Sequence, residues 1–346
     1  GTRARSGGNR RSVRSRTERE AKKQAETMNE TMKLWYKTPG NSNTGGGASA
    51  QWVTEALPLG NGNLGNLVFG GITKERVHFN EKSLWDSTTT EGGNRATAYT
   101  DEEIEQYRLE MDDKSKEVLP QGMDNTRFSG ADARKGSYQD FGDIWLDYSP
   151  MKIDESAVTN YRRELNIQTG IASTEFDYKN VSYKREHFVS APDNVMVTRM
   201  TASKKGKLSV DISMTLNNSG LAGVTSLDEK NHTYTIDGNV KANGLKFRTT
   251  MQVVPVGGTI TADTEENVYH VEDADSIMLV MAEETNYVNN YPNYLDTEKD
   301  LAGIVDGRTL KCGAMDYKEL KERHVADHQG LFDRVSLDLG ERLPNI

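Results

Sequence analysis

The sequence predicts a mainly β protein, a large antiparallel β-sandwich with a short helical stretch at its C-terminal end, and three observations predict it. Apolar residues recur at every second position over much of the chain beyond residue 33, short turns rich in Gly, Asn and Asp separate these runs, and helical periodicity is scarce among them. Many strands without alternating helices describe two packed antiparallel sheets rather than a parallel α/β fold.

The elements follow in chain order. Residues 67–72 and 76–79 read as paired strands joined at Thr73, Lys74 and Glu75. Thr100 and Glu103 form a capping box ahead of Ile104, Tyr107 and Met111, which predicts a short helix interrupting the strands. Ile144, Leu146 and Tyr148 mark a further strand. Phe176 and Tyr178, then Lys179-Asn180, then Val181 and Tyr183 predict a hairpin, because Asn tolerates the left-handed backbone of a tight turn. Leu208, Val210, Ile212 and Met214 alternate with polar residues, as do Leu245, Phe247, Met251 and Val253. Residues 276–282 are almost continuously apolar. A second helix is expected from Asp316 through Tyr317, Leu320 and His324 towards Leu331, with a last strand over residues 335–340.

Composition narrows the function. The 346 residues carry 27% charged side chains and a net charge of −9, with no apolar run long enough for a membrane span. Basic charge is concentrated in residues 1–33, a Ser/Gly/Arg-rich leader with ten Lys/Arg against four Asp/Glu, which leaves the body acidic and argues against a nucleic-acid surface. One cysteine, Cys312, excludes an internal disulfide.

Several motifs invite chemistry and fall short of it. Gly60-Asn-Gly62-Asn-Leu-Gly65 matches the dinucleotide-binding pattern, but a β-prone segment follows it where a helix must receive the pyrophosphate. A turn between strands is the reading that fits. His324 and His328 have the four-residue spacing of a helical zinc pair, yet lack an intervening glutamate and a third ligand. Packing or capping is expected of them, and neither a metal nor a cofactor is predicted. A glycosidase needs two carboxylates facing one sugar. Glu55, Glu81, Asp140 and Asp143 flank turns without marking such a pair and are expected to be solvated or turn-capping. Trp35 and Trp145 lie in strand-like segments and are expected in the core. Trp85 follows Asn80-Glu-Lys-Ser-Leu and precedes a polar loop, which makes Trp85 and Asn80 the candidates for a substrate rim or a domain interface.

Leu34-Trp-Tyr, the segment from Trp52 to the Gly70-Gly71 pair, and Phe79-Asn-Glu-Lys-Ser-Leu-Trp85 resemble the opening of glycoside hydrolase family 95, the α-L-fucosidases. Similar segments follow in order: Tyr138-Gln-Asp-Phe-Gly-Asp, Tyr161-Arg-Arg-Glu-Leu, Tyr183-Lys-Arg-Glu-His-Phe, and the His324, Asp327, Phe332 stretch. The resemblance implies that this sandwich is a large antiparallel β-supersandwich, an N-terminal domain over residues 34–290. A linker over 291–346 would then lead to an (α/α) barrel that carries an inverting hydrolysis of α-1,2-fucosyl glycans, in a bacterial enzyme at or beyond the cell surface. The family's general-acid glutamate and water-activating residues lie in that barrel, so no catalytic residue is assigned in this chain. The expected partners are the barrel and a fucosylated oligosaccharide. After Trp85 the sequence departs from the family, with Asp86-Ser-Thr-Thr in place of a Ser-Gly-Gly-Pro-like turn. The alternatives are a freestanding carbohydrate-binding sandwich, or the N-terminal domain of another barrel hydrolase or phosphorylase.

Overall fold

The structure is a computed structural model that describes residues 32–43, 54–87, 99–113, 136–290 and 293–337. The first strands are β1 (Lys33–Tyr36), β2 (Leu57–Gly60), β3 (Leu64–Val68), β4 (Lys74–Glu81) and β5 (Gly142–Asp147), with helix α1 (Asp101–Asp112) between the last two. Then come β6 (Thr159–Asn166), β7 (Ile171–Tyr178), β8 (Val181–Ser190), β9 (Val195–Ala202), β10 (Leu208–Leu216) and β11 (Leu221–Asp228). The chain continues through β12 (Thr233–Val240), β13 (Lys246–Val256), β14 (Thr259–Asp263), β15 (Val268–Ala274) and β16 (Ser276–Thr285). Helices α2 (Leu301–Gly313) and α3 (Tyr317–Phe332) follow.

These strands form two antiparallel sheets, as the alternation predicts. One has nine strands in the order β1-β6-β7-β8-β9-β16-β13-β12-β11, the other seven in the order β14-β15-β10-β5-β4-β3-β2. Their inner faces meet in a core that includes Val77, Phe79, Leu146, Ile212, Phe247, Met251 and Leu279, each at most 3% exposed. The expected hairpin is β7–β8, where Lys179 and Asn180 both have positive φ, 46° and 61°. That pair of left-handed residues matches the right-handed twist of the flanking strands. Gly62, with φ at 86°, turns the chain between β2 and β3, so the glycine motif is a strand turn. The β3–β4 connection lies earlier than expected. Glu75 is a buried residue inside β4, and Gly70, at φ 77°, makes the turn.

β16 is buried at nine of its ten positions, and the reason is a third layer. Its inner face, Ile277, Leu279 and Met281, joins the sandwich core. Its outer face, Met278, Val280 and Ala282, packs under α2 and α3 against Val305, Cys312 and Leu320. Burial strips both faces of water, so polar alternation disappears. The sequence reading missed α2. Gly303, Gly307 and Gly313 each weaken a helix by about 1 kcal/mol relative to alanine, which hides its pattern. Tertiary contacts overrule that cost: Asp300 caps the Gly303 amide at 2.9 Å, Thr309 donates to the Thr250 carbonyl at 3.1 Å, and Asp306 takes a two-pronged contact from Arg248 at 2.7 and 3.0 Å.

α3 begins, as expected, behind its Asp316 cap. α1 carries the expected Thr100–Glu103 capping box, but none of its residues is buried. The last expected strand does not form over residues 335–337, and residues 338–340 lie outside those described. Most of the basic leader, Trp52 and residues 88–94 of the polar loop after Trp85 also lie outside them. Among the described residues no helix is long and apolar enough to cross a membrane.

Candidate functional site

β4 runs out of the sandwich at Asn80 and Glu81 and turns at once. Glu81 accepts hydrogen bonds from the Ser83 amide at 2.8 Å and the Ser83 hydroxyl at 2.6 Å. Asn80 faces its own strand end, its Oδ1 accepting from the Glu81 amide at 3.2 Å. The Ser83 hydroxyl also meets Thr285 of β16 at 2.5 Å, which ties the two sheets together. Beyond this tie stands Trp85, 41% exposed. Its ring lies 5.6 Å from that of Tyr138, its indole donates to the Lys82 carbonyl at 3.1 Å, and Asn243 donates to its carbonyl at 2.8 Å. A second aromatic pair, Tyr287 and Tyr294, stacks at 6.3 Å just after β16, with Tyr287 again 41% exposed. The loop is therefore held by hydrogen bonds at its base while its aromatic faces meet solvent.

Two carboxyl groups lie beneath these aromatics. Glu81 is 1% exposed and Glu283 is fully buried, with no hydrogen-bond partner for either carboxyl oxygen of Glu283 among the described residues. Burial pushes the Glu283 carboxyl far above its usual range, and the charges of Glu81 and Glu284 push the same way. Burial also raises Glu81, against the hydrogen bonds from Ser83 that lower it. The Tyr138 hydroxyl, which donates to the Glu81 carbonyl at 3.0 Å, is raised by burial and by the same two glutamates. An acid pair in a glycosidase must reach both sides of a glycosidic bond. Glu81 and Glu283 face the inside of the sandwich, so neither meets a sugar, and Glu81 holds the loop through Ser83.

The remaining carboxylates sort differently from the expectation. Glu55 does cap a loop, accepting from the Asn41 amide at 2.7 Å, and the Asp140 side chain is 44% exposed. Asp143 is neither solvated nor a turn cap. It lies buried in β5, accepting from Arg76 at 2.8 Å and Asn217 at 2.7 Å and meeting His78 at 3.0 Å. Burial would raise its pKa, but the bonds to His78 and Arg76 outweigh it and hold the group below the usual range. Sequence reasoning also passed over a deeper ion pair. Glu75 accepts from the Phe69 and Gly70 amides at 2.9 and 3.1 Å and pairs with Arg185 of the facing sheet. Arg185 reaches on to the Tyr148 hydroxyl at 2.9 Å and the Gly71 carbonyl at 2.7 Å, which fixes the β3–β4 turn on β8. An arginine alternating with Tyr183 and His187 on a strand's inner face was the signal that could have found it.

Two tryptophans expected in the core lie outside it. Trp35 is 46% exposed, because β1 is an edge strand and no layer lies on its outer face among the described residues. The Arg162 guanidinium lies 4.7 Å from its ring centroid. Trp145 points to the outer face of the seven-stranded sheet, half-buried beneath Lys74 at 4.8 Å and donating to Thr215 at 3.1 Å. A strand has two faces, and alternation alone does not say which is inner.

His324 and His328 take packing roles. The His324 ring stacks on Phe188 at 4.7 Å, and its Nε2 faces the Thr169 and Gly170 carbonyls at 3.0 and 3.2 Å. His328 Nε2 faces the Ile167 carbonyl at 2.8 Å. A nitrogen facing a carbonyl must carry its proton, so neither Nε2 offers a lone pair to a metal. Burial lowers the His324 pKa and keeps the ring neutral. No cluster of three metal-ligating side chains occurs among the described residues.

Comparison with known proteins places this architecture. The chain is 28% identical over 320 residues to α-L-fucosidase 2 of Arabidopsis thaliana, a match covering 86% of this chain and 36% of that protein. It is 26% identical over 320 residues to a probable α-fucosidase A of Aspergillus niger, covering 88% and 38%, and 23% identical over 304 residues to one of Aspergillus oryzae, covering 84% and 40%. The chain thus spans 36–40% of the length of these curated relatives. A solved structure described as a putative kojibiose phosphorylase from human microbiome shares the fold at a TM-score of 0.50 and 9% identity, over 88% of this chain and 38% of that one. Residues 34–290 match the family profile described as glycosyl hydrolase family 65, N-terminal domain, and on that match the chain belongs to this family of glycosidase N-terminal domains.

Proposed function

We propose that this chain is the non-catalytic N-terminal domain of an inverting α-L-fucosidase acting on α-1,2-fucosyl glycans, and that its Trp85 end meets the catalytic barrel at or beside the substrate mouth. The observation that carries the second half is the Trp85–Tyr138 pair, exposed at a sandwich end whose base is locked by Ser83, Thr285 and Glu81. Rigid aromatic surface on a supported loop is what an interface or a sugar-stacking rim uses. The fucosidase half is supported by the names of the curated relatives, and by the fit of their greater length to a separate catalytic domain.

Trp85→Ala tests the proposal. In a polypeptide that carries this chain followed by its barrel, the substitution is expected to lower kcat/KM about ten- to a hundredfold, the loss of one stacking contact of about 1–3 kcal/mol. In the 346-residue chain alone it should leave the melting midpoint within a few degrees, and the chain alone should release no fucose from a fucosylated oligosaccharide. Unchanged kcat/KM refutes the rim and interface reading. A melting loss on the scale of about 3–5 kcal/mol assigns Trp85 to the core instead.

A further inference from the structure

The open flank of the nine-stranded sheet carries a second feature, a groove of about 640 Å³ on the outer face of β1, β6, β7 and β8, walled on one side by α3. That volume falls within the range of about 300–1,000 Å³ typical of clefts for small ligands. Its floor is polar. At one end, Glu164 accepts from Arg162 at 2.6 and 2.8 Å and meets Lys33 at 3.4 Å. At the other, Lys184 meets Glu175 at 2.9 Å, while Glu186 takes Lys321 at 2.8 Å and the Tyr317 hydroxyl at 2.9 Å. Asn166, Thr169 and Ser173 add uncharged hydrogen-bonding groups between them. Trp35 stands beside this floor, directly opposite Glu164 in the β1–β6 register and 46% exposed.

We propose that this groove is a glycan-binding subsite whose ligand is a neutral oligosaccharide, with one sugar ring on the Trp35 indole and its hydroxyls on the paired charges of the floor. The charge pattern selects the ligand class. Cations and carboxylates alternate and neutralise one another, so the groove offers little net attraction to an anion or a cation. Each pair presents a donor beside an acceptor, and a sugar hydroxyl, which donates once and accepts twice, uses both. The pyranose C–H face fits an indole, and the Arg162 guanidinium packed on Trp35 holds that ring in place. The subsite is separate from the Trp85 end, since β1 and β6 edge one sheet while Trp85 follows β4 of the other. Binding here holds a glycan to the domain and does not place a bond for cleavage.

The choice of sugar rests on the glycosidase reading above, and the test is arranged so that the two can fail separately. The probe is an α-1,2-fucosylated lactose trisaccharide, titrated calorimetrically into the 346-residue chain. Saturable one-to-one binding is expected, weakened about tenfold or more by Trp35→Ala and at least threefold by Lys184→Met, and unchanged by Val224→Ala on the far flank. A sialylated lactose of the same length, which is anionic, should bind no tighter. Melting curves show whether each variant is folded, and Lys184→Met carries the test if Trp35→Ala is not. No saturable binding, equal affinity in both groove variants, or tighter binding of the anionic sugar overturns the proposal. Because the readout is binding, its failure leaves the Trp85→Ala kinetics to judge the domain's role, and failure of those kinetics leaves the groove untouched.

Discussion

β16 and β7 belong to one sheet and present their inner faces to one core, yet their outer faces live in different surroundings. Val280 of β16 lies fully buried beneath the helices. Ser173 of β7 lines a groove open to water, between Glu164 and Glu186 on its neighbouring strands. The interior asks the same of both strands, so the difference between a continuous apolar run and an alternating one counts the layers packed on the sheet. It also sorts the possible functions. A covered face stabilises the domain, and an open face carrying an aromatic and paired charges is free to bind.

One charge placed on each outer face should separate the two strands most widely. Val280→Lys buries an ammonium without a partner and should cost about 4 kcal/mol or more in urea unfolding, whereas Ser173→Lys should stay within about 0.5 kcal/mol. Equal costs would mean that the open flank is covered after all.

Glu283 measures the inner face, which both regions share. Its folded pKa is raised, so the native state holds a proton that the unfolded chain gives up above 4.5. Stability must therefore fall as pH rises above 4.5 until the folded value is reached. Glu283→Gln removes that dependence. It should gain up to about 3 kcal/mol at pH 7, at about 1.4 kcal/mol per pH unit, and nothing at pH 4. Urea midpoints across this pH range check the slope, and a pH-independent difference would contradict the buried protonated acid.

The smallest effect lies on the boundary between the two regions. Glu186 of β8 reaches Lys184 on the open side and Lys321 of α3 on the covered side. Burial raises its pKa, but the bond from Lys321 and the charges of both lysines outweigh it and the net shift is downward. A depressed folded value stabilises above the unfolded pKa of 4.5 and is lost as pH falls through the folded one. Glu186→Gln should therefore cost less than about 1 kcal/mol at pH 7, allowing for solvent screening, and nothing in strong acid. A cost that persists in acid would assign the role of Glu186 to packing.

Alternation along residues 208–214 and 245–253, the Lys179-Asn180 turn, the Thr100–Glu103 box and the Asp316 cap are local features, and the sequence by itself determined them. Each is set by neighbours within a few residues, through side-chain period, left-handed tolerance or capping bonds. The resemblance that led to a glycosidase N-terminal domain was likewise written in ordered segments of the chain. Which face of each strand turns inward depended on packing between the sheets. Tertiary packing moved Trp35 and Trp145 outward, buried Asp143 on Trp145's face of β5 against Arg76, sent Glu75 inward to Arg185, and set α2, with its three glycines, over β16 and β13. Those outcomes depend on partners far away in sequence, 110 residues in the case of Glu75 and Arg185. A buried charge is tolerable only once such a partner has arrived, and an edge strand's aromatic is exposed where no layer among the described residues reaches it.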